Sequence, residues 1–233
     1  MVTVQSAPEV RKKNIHGCIF DLDGTLLYTL QSMAVPANRM LQELSLKEQP
    51  VENYRYYCGD GADNLVRRVL AASGDPEAKL FDQAYPLYMK YFNDDPMLGV
   101  TRFPGIGETL EQMKQMGIGL AVCSNKPDEA AGRVIADMFP GIFTTVIGQS
   151  NAVRRKPAPD TPFMAAARLG VTPGECMYVG DSGTDMRTGK AAGMFTVGVL
   201  WGYRDLQELR ENGADETVRE PADLLRFLTI EKQ

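Results

Sequence analysis

The chain has 233 residues, of which 44% are hydrophobic and 24% are charged, and its formal net charge is −5. This length accommodates one large α/β domain or two modest ones, and the composition is ordinary for a globular protein. The negative charge argues against a nucleic-acid partner, which requires a basic face. No apolar run is long enough to span a membrane, and no signal-peptide h-region follows the basic residues Arg11, Lys12 and Lys13.

The cysteines and histidines limit the chemistry further. Cys18, Cys58, Cys123 and Cys176 are scattered and form no C-x-x-C pair. Three of them stand in apolar, strand-like runs, where a free cysteine behaves as a small hydrophobic residue. We therefore expect reduced thiols and a cytoplasmic setting. His16 is the one histidine of the chain, which excludes chemistry built on several histidines.

Short apolar runs alternate with helical patterns along most of the chain. The runs predicted as strands are 15–20, 118–123, 143–147, 176–179 and 195–200. The patterns predicted as helices are 107–116, 127–138, 161–169 and 185–192. Strands separated by helices indicate βαβ units, so we predict an α/β fold with a Rossmann-like parallel-sheet core and helices on both faces. Ligands of such sheets bind at the carboxyl ends of the strands.

One long segment interrupts this alternation. Between residues 30 and 98 the apolar residues follow helical spacing and no strand is predicted; the helical patterns are 33–44, 62–72 and 77–92. We therefore predict an inserted all-helical domain over 30–98. The α/β core then consists of 1–29 and 99–233.

Two carboxylates stand two residues apart directly after the first predicted strand, in Asp21-Leu22-Asp23-Gly24-Thr25. Alternate side chains of an extended segment share a face, so Asp21 and Asp23 are expected to point toward one small volume. Two like charges held so close are costly unless a cation or a shared proton relieves them. The pair therefore predicts a site that binds a hard metal ion and uses carboxylate chemistry.

Three further groups follow predicted strands, each with a simpler alternative. Ser124 and Asn125 offer a hydroxyl and a helix-start amide to an anion, or one of them caps the next helix. Lys156 can neutralise a phosphoryl group, or its basic run is a solvated loop. Asp181 lies at a strand tip with Asp185 one helical turn beyond, which suits Mg²⁺, although a helix-capping aspartate is the alternative.

The combination is more informative than any single group. A parallel sheet gathers the carboxyl ends of its strands at one edge, so these residues are expected to meet there. Together they supply a nucleophile or base, an anion site, a cation and a metal site. That inventory fits phosphoryl transfer, where catalysis is mostly positioning and charge stabilisation.

In this order, the residues resemble the motifs of the haloacid dehalogenase (HAD) superfamily of phosphohydrolases. The matching positions are Asp21-x-Asp23-Gly24-Thr25, Ser124, Lys156 and the run from Asp181 to Asp185. Within that superfamily the chain is similar to the phosphoglycolate phosphatase group, in the run that leads to Ser124 and in the turn Gly59-Asp60-Gly61. The resemblance extends from about residue 15 to residue 228.

The resemblance implies a Mg²⁺-dependent phosphoric monoester hydrolase. Asp21 would attack the phosphorus and form an aspartyl-phosphate. Asp23 would protonate the leaving alkoxide and then activate water. Mg²⁺ would be held by the Asp21 side chain, the Asp23 backbone carbonyl and Asp181, with Asp185 in support.

The family also implies how the substrate is bound. Ser124 and the backbone amide of Asn125 would bind the phosphoryl oxygens, while Lys156 would offset their charge. The inserted helices would form a cap domain that closes over the substrate. Gly59 and Gly61 would be its substrate-facing turn, with a plain helix–helix connection as the alternative.

The expected partner is a small phosphorylated metabolite, without nucleic acid or membrane, and the protein is expected to be a monomer or a homodimer. Tyr85, Tyr88 and Phe92 repeat at helical spacing. We therefore expect them to pack inside the helical domain rather than to contact ligand.

Three other functions stay open. A phosphosugar mutase of the β-phosphoglucomutase type shares the motifs, although mutases often carry an acidic residue at the position of Gly180. A signalling receiver domain also surrounds an aspartate with acidic residues, a hydroxyl and a lysine, but the order Asp-x-Asp-Gly-Thr and the long helical insertion are foreign to it. An inactive relative retained as a binding protein is the third, and the presence of both Asp21 and Asp23 argues against it.

Overall fold

A computed structural model of the protein describes residues 14–228. Arg11 to Lys13 and residues 229–233, which the predicted core includes, lie outside the described residues. The described strands are β1 Gly17–Phe20, β2 Leu27–Tyr28, β3 Thr101–Arg102, β4 Gly119–Pro127, β5 Thr145–Gln149, β6 Cys176–Gly180, β7 Phe195–Val199 and β8 Glu216–Val218. The described α-helices are α1 Leu30–Glu43, α2 Tyr54–Tyr57, α3 Ala62–Ala72, α4 Phe81–Asp94, α5 Ile106–Gln115, α6 Asp128–Met138, α7 Asp160–Leu169, α8 Gly183–Ala191 and α9 Leu206–Glu211. Across residues 14–228, the helices are all too short or too polar to cross a membrane.

Six strands form one parallel sheet in the order β5-β4-β1-β6-β7-β8. β1 lies in the middle, where Phe20 is in register with Val122 of β4 and Val179 of β6. The carboxyl ends of these three strands therefore lie side by side. The predicted α/β fold with a parallel-sheet core is confirmed.

Helices cover both faces of this sheet. Along β1, Cys18 and Phe20 pack on one side in a cluster that includes Leu110 of α5. Ile19 packs on the other side with Ala165 of α7. Because the central strands are buried on both faces, they read in the sequence as continuous apolar runs rather than as alternating ones.

The helices between residues 30 and 98, which we call the helical insert, surround a separate apolar cluster. Tyr88 and Phe92 belong to this cluster and Tyr85 packs against it, so their predicted packing inside the helical domain is confirmed. That they do not contact ligand stays a prediction. The short antiparallel pair of β2 and β3 joins the two chain segments that lead into and out of the insert. The domain boundaries at 29–30 and 98–99 stay a prediction.

The structure differs from the predicted elements in several places. β4 continues past the predicted end at Cys123 to Pro127, and its pairing with β5 shifts register between those residues. The last helix of the insert begins at Phe81 rather than at 77, because Ala78 has a φ of 51°, outside the helical region. The strand β8 and the helix α9 were not predicted, since both are short and α9 buries only Leu209.

A matched pair of glycines tests the packing beside β4. A Cβ at Gly148 would overlap the backbone of Asp128, whereas a Cβ at Gly132 in α6 meets nothing within 4 Å. We expect Gly148→Ala to lower the free energy of unfolding by roughly 1–3 kcal/mol through overpacking. Gly132→Ala should raise it by about 0.5–1 kcal/mol, because alanine has the higher helix propensity. Urea denaturation of both variants measures the difference, and equal stabilities would contradict the packing described.

Candidate active site

The two carboxylates after β1 lie at the edge of the sheet. Asp21 continues from β1, and its backbone N–H donates to the Val179 carbonyl oxygen of β6 at 2.9 Å. Leu22 is buried in the apolar core, so the intervening side chain turns away from the site. Asp21 is 7% exposed, and the Asp23 side chain is 15% exposed. Because alternate side chains of an extended segment point to the same side, Asp21 and Asp23 both border one cavity, as predicted.

Lys156 holds the centre of the site. Its ammonium donates to Asp21 Oδ1 at 2.8 Å, to Asp185 Oδ1 at 2.7 Å and to the Cys123 carbonyl oxygen at 3.2 Å. Burial would lower the pKa of Lys156, but the charges of Asp185 and Asp21 outweigh that and raise it well above its usual value. The lysine is therefore held as a cation, and the alternative of a solvated loop is wrong for this residue.

Three carboxylates form a compact acidic group within the described residues. Oxygen atoms of Asp21, Asp181 and Asp185 all lie within 4.8 Å of one another, and all three residues are buried. Burial and the charge of Asp185 raise the pKa of Asp21 well above its usual value, and the same two causes raise that of Asp181 to about 7. These shifts are the signature of carboxylates that lack enough positive charge nearby. An all-oxygen group of this kind fits Mg²⁺.

The neighbours of Asp181 and Asp185 fix their orientation. Asp181 accepts the Tyr203 N–H at 2.7 Å and the Thr25 hydroxyl at 3.3 Å. Asp185 Oδ2 accepts the N–H of Ser182 at 3.1 Å and its hydroxyl at 2.6 Å, in the capping box of α8. The capping alternative therefore holds for Asp185 and not for Asp181. Asp185 combines that role with its contact to the buried lysine.

The segment after Cys123 faces the same region. Ser124 Oγ accepts the Lys126 N–H at 3.2 Å, and Asn125 Oδ1 accepts the Lys156 N–H at 3.0 Å. Neither side chain caps α6, whose first turn is preceded by Pro127 without a side-chain cap. The helix-capping alternative is therefore wrong for both residues.

The helical insert closes over this edge of the sheet. The Asn125 amide donates to the Gly59 carbonyl oxygen at 2.9 Å, and Thr184 donates to Asp60 Oδ1 at 2.9 Å. Arg155 pairs with Asp63 at 2.6 Å. These polar contacts connect the turn around Gly59 directly to the loops that carry the site.

A cavity of about 40 Å³ lies between insert and core. The core residues on its wall are Asp21, Asp23, Ser124, Asn125, Lys126 and Pro127. From the insert, the wall includes Gly59 and Gly61 and the side chains of Met33, Cys58, Leu65, Tyr88 and Phe92. The predicted turn at Gly59 and Gly61 thus borders the cavity, and two aromatic residues of the insert core border it as well.

Sequence reasoning missed two basic residues of the site. Lys126 is 6% exposed and its ammonium lies 3.2 Å from Asp23 Oδ1. The signal available in the sequence was a lysine that directly follows Ser124 and Asn125. The predicted strand ends at Cys123, before this lysine. Arg155 stands in the basic run before Lys156, and its contact with Asp63 of the insert has no local signal in the sequence.

Comparison with known proteins agrees with this geometry. The family model for haloacid dehalogenase-like hydrolases matches residues 18–199. A phosphoglycolate phosphatase of Pseudomonas putida is 35% identical over 189 residues, which are 79% of this chain and 69% of that protein. A phosphoglycolate phosphatase of Neisseria meningitidis serogroup A is 34% identical over 205 residues, 87% of each chain. The crystal structure of a candidate phosphoglycolate phosphatase of Lactobacillus delbrueckii subsp. bulgaricus has a TM-score of 0.86 and 30% identity, and the match covers 91% of this chain and 98% of that one.

The raised pKa of Asp181 predicts how stability depends on pH. The folded protein binds more protons than the unfolded chain between about pH 4 and about pH 7, so the free energy of unfolding of the metal-free protein should fall as the pH rises through this window. Mg²⁺ favours ionised carboxylates and should flatten that decline.

Urea denaturation across this window, with EDTA or with Mg²⁺, provides the measurement. Asp181→Asn should reduce the decline in the metal-free protein, while Asp82→Asn on the exposed side of α4 is the matched control. If Asp181→Asn leaves the decline in the free energy of unfolding unchanged, that decline comes from other groups and the prediction is wrong.

Proposed function

The chain belongs to the haloacid dehalogenase-like hydrolase family, and from that premise we propose that it is a Mg²⁺-dependent phosphatase. Its substrate in this proposal is a small phosphorylated metabolite of the phosphoglycolate type. The observation that carries the proposal is the buried Lys156 between Asp21 and Asp185, beside a third carboxylate and next to a cavity that Asp21 borders.

Asp21 acts as the nucleophile. It is buried at the end of β1 and borders the cavity, and Lys156 fixes one of its oxygens by a hydrogen bond. As a carboxylate oxygen of Asp21 bonds to phosphorus, the ester P–O bond breaks and an aspartyl-phosphate forms. Lys156 offsets part of the negative charge that gathers around the phosphoryl group in this step.

Asp23 acts as the acid and base. Its carboxyl group borders the same cavity but is separate from the acidic group around Lys156, since its partner is Lys126. In the first step Asp23 gives its proton to the leaving oxygen of the substrate. In the second step it takes a proton from water, which attacks the aspartyl-phosphate and releases phosphate and free Asp21.

Mg²⁺ would be held by the side chains of Asp21 and Asp181 and the backbone carbonyl of Asp23, with Asp185 beside them. When bound, the ion supplies positive charge that complements the phosphoryl oxygens. Ser124 and the backbone amide of Asn125 bind those oxygens from the end of β4. The helical insert covers the cavity and limits the access of bulk water, so that the water activated by Asp23 is the one that reaches the acyl phosphate.

Replacing the nucleophile tests this proposal. Asp21→Asn keeps the size of the side chain and should lower phosphate release from 2-phosphoglycolate by roughly 1,000-fold or more, because an amide is not a competent nucleophile. Asp82→Asn serves as the matched control and should keep wild-type rates. Phosphate release is measured with Mg²⁺ and with EDTA, and undiminished turnover by Asp21→Asn would reject Asp21 as the nucleophile.

The phosphosugar mutase is the principal alternative. In this structure a side chain at Gly180 would overlap Asp185, so the position that is often acidic in mutases has no room for one. We therefore expect a hexose 1-phosphate incubated with the enzyme and Mg²⁺ to yield no isomeric hexose phosphate. Chromatography of the sugar phosphates detects such an isomer. Its formation without release of phosphate would reject the phosphatase. Repeated turnover per protein molecule likewise separates an enzyme from a receiver domain or an inactive binding protein.

A further inference from the structure

Lys126 is a buried lysine on the wall of the cavity, and the proposed reaction leaves it without a role. Its side chain is 3% exposed, and its ammonium lies 3.2 Å from Asp23 Oδ1. The ammonium also lies 5.0 Å from the centre of the Phe92 ring of the insert. Lys126 therefore occupies the point where core and insert meet at the cavity.

The hydrogen-bonding capacity of Lys126 is only partly used. A lysine ammonium has three N–H donors. Among residues 14–228, the ammonium of Lys156 has three acceptors, from Asp21, Asp185 and Cys123, whereas that of Lys126 has one. A buried ammonium on a cavity wall that has unused N–H donors is suited to donate hydrogen bonds to a ligand.

The insert offers no competing charge. Its described side chains on the cavity wall are apolar or aromatic, chiefly those of Met33, Leu65, Tyr88 and Phe92. An anionic group on the leaving side of the substrate therefore has to find its positive partner in the core. Lys156 is already paired with two carboxylates. Among the described residues that line the cavity, Lys126 is the one that can supply the positive charge.

We propose that Lys126 determines specificity by binding a carboxylate that the substrate carries a short distance from its phosphoester oxygen. This rests on the proposed phosphatase function and narrows its substrates to short, anionic phosphoesters. The bound carboxylate accepts hydrogen bonds from the N–H groups of the Lys126 ammonium that do not donate to Asp23. Because the Lys126 side chain is 3% exposed, this attraction is stronger than it is in water.

Two esters of similar size, of which one carries a carboxylate and the other does not, test the inference. We compare kcat and KM of the complete enzyme with Mg²⁺ for 2-phosphoglycolate and for 2-hydroxyethyl phosphate, which carries a hydroxymethyl group in place of the carboxylate. Wild-type enzyme should favour the anionic ester in kcat/KM by roughly 10- to 100-fold, the range of a hydrogen bond to a charged group. Lys126→Met should remove this preference, mainly by raising KM for the anionic ester.

The controls separate specificity from general damage. Lys114→Met changes an exposed lysine of α5 and should keep the preference, and retention of a preference by Lys126→Arg would support the role of the charge. If Lys126→Met loses the same factor on both esters, Lys126 acts only through Asp23 and the inference is overturned. Equal kcat/KM of wild-type enzyme for the two esters overturns it without any variant. Wild-type enzyme that hydrolyses neither ester overturns the proposed function, and this inference with it.

Discussion

The arrangement of the site depends on the buried ammonium of Lys156. It connects three separate parts of the chain, namely Asp21 after β1, Asp185 on α8 and the loop between β5 and α7. Burial disfavours a charged lysine, and the adjacent carboxylates of Asp185 and Asp21 are the main groups that raise its pKa and keep the charge in place. A buried ion pair adds little net stability compared with well-packed apolar residues. Its presence at the carboxyl edge of the sheet is therefore better explained by chemistry than by folding.

The same cluster contains more negative charge than one lysine can balance. Lys156 contacts Asp21 and Asp185, and Asp181 lies beside them; burial and the charge of Asp185 raise the pKa values of Asp21 and Asp181. Such an excess has chemical value only where water does not screen it. The contact of Asn125 with Gly59 and that of Thr184 with Asp60 hold the insert over this edge. Protonation of the carboxylates, the packing of the insert on this edge and the binding of the proposed cation therefore all involve the same small volume.

Much of this organisation can be predicted from the sequence because burial leaves a local pattern. β1, β4, β6 and β7 are apolar on both faces, and the groups that follow them are brought together by sheet topology alone. The missed features lack such a pattern. β8 and α9 are too short for a periodic signal, and the continuation of β4 through Lys126 is polar. Arg155 and Asp63 are far apart in the chain, so their contact depends on how insert and core close together.

The geometry also changes where substrate selection is expected to reside. The resemblance to the family implies a substrate-facing turn of the cap at Gly59 and Gly61, and this turn does border the cavity. Yet the insert wall is apolar, so it can limit the size and shape of a leaving group but cannot complement its charge. In the proposed reaction the charged partner is Lys126 of the core, two residues beyond Ser124 on the same extended strand. On that proposal core and insert divide the task, with charge selected on β4 and shape selected by the helices.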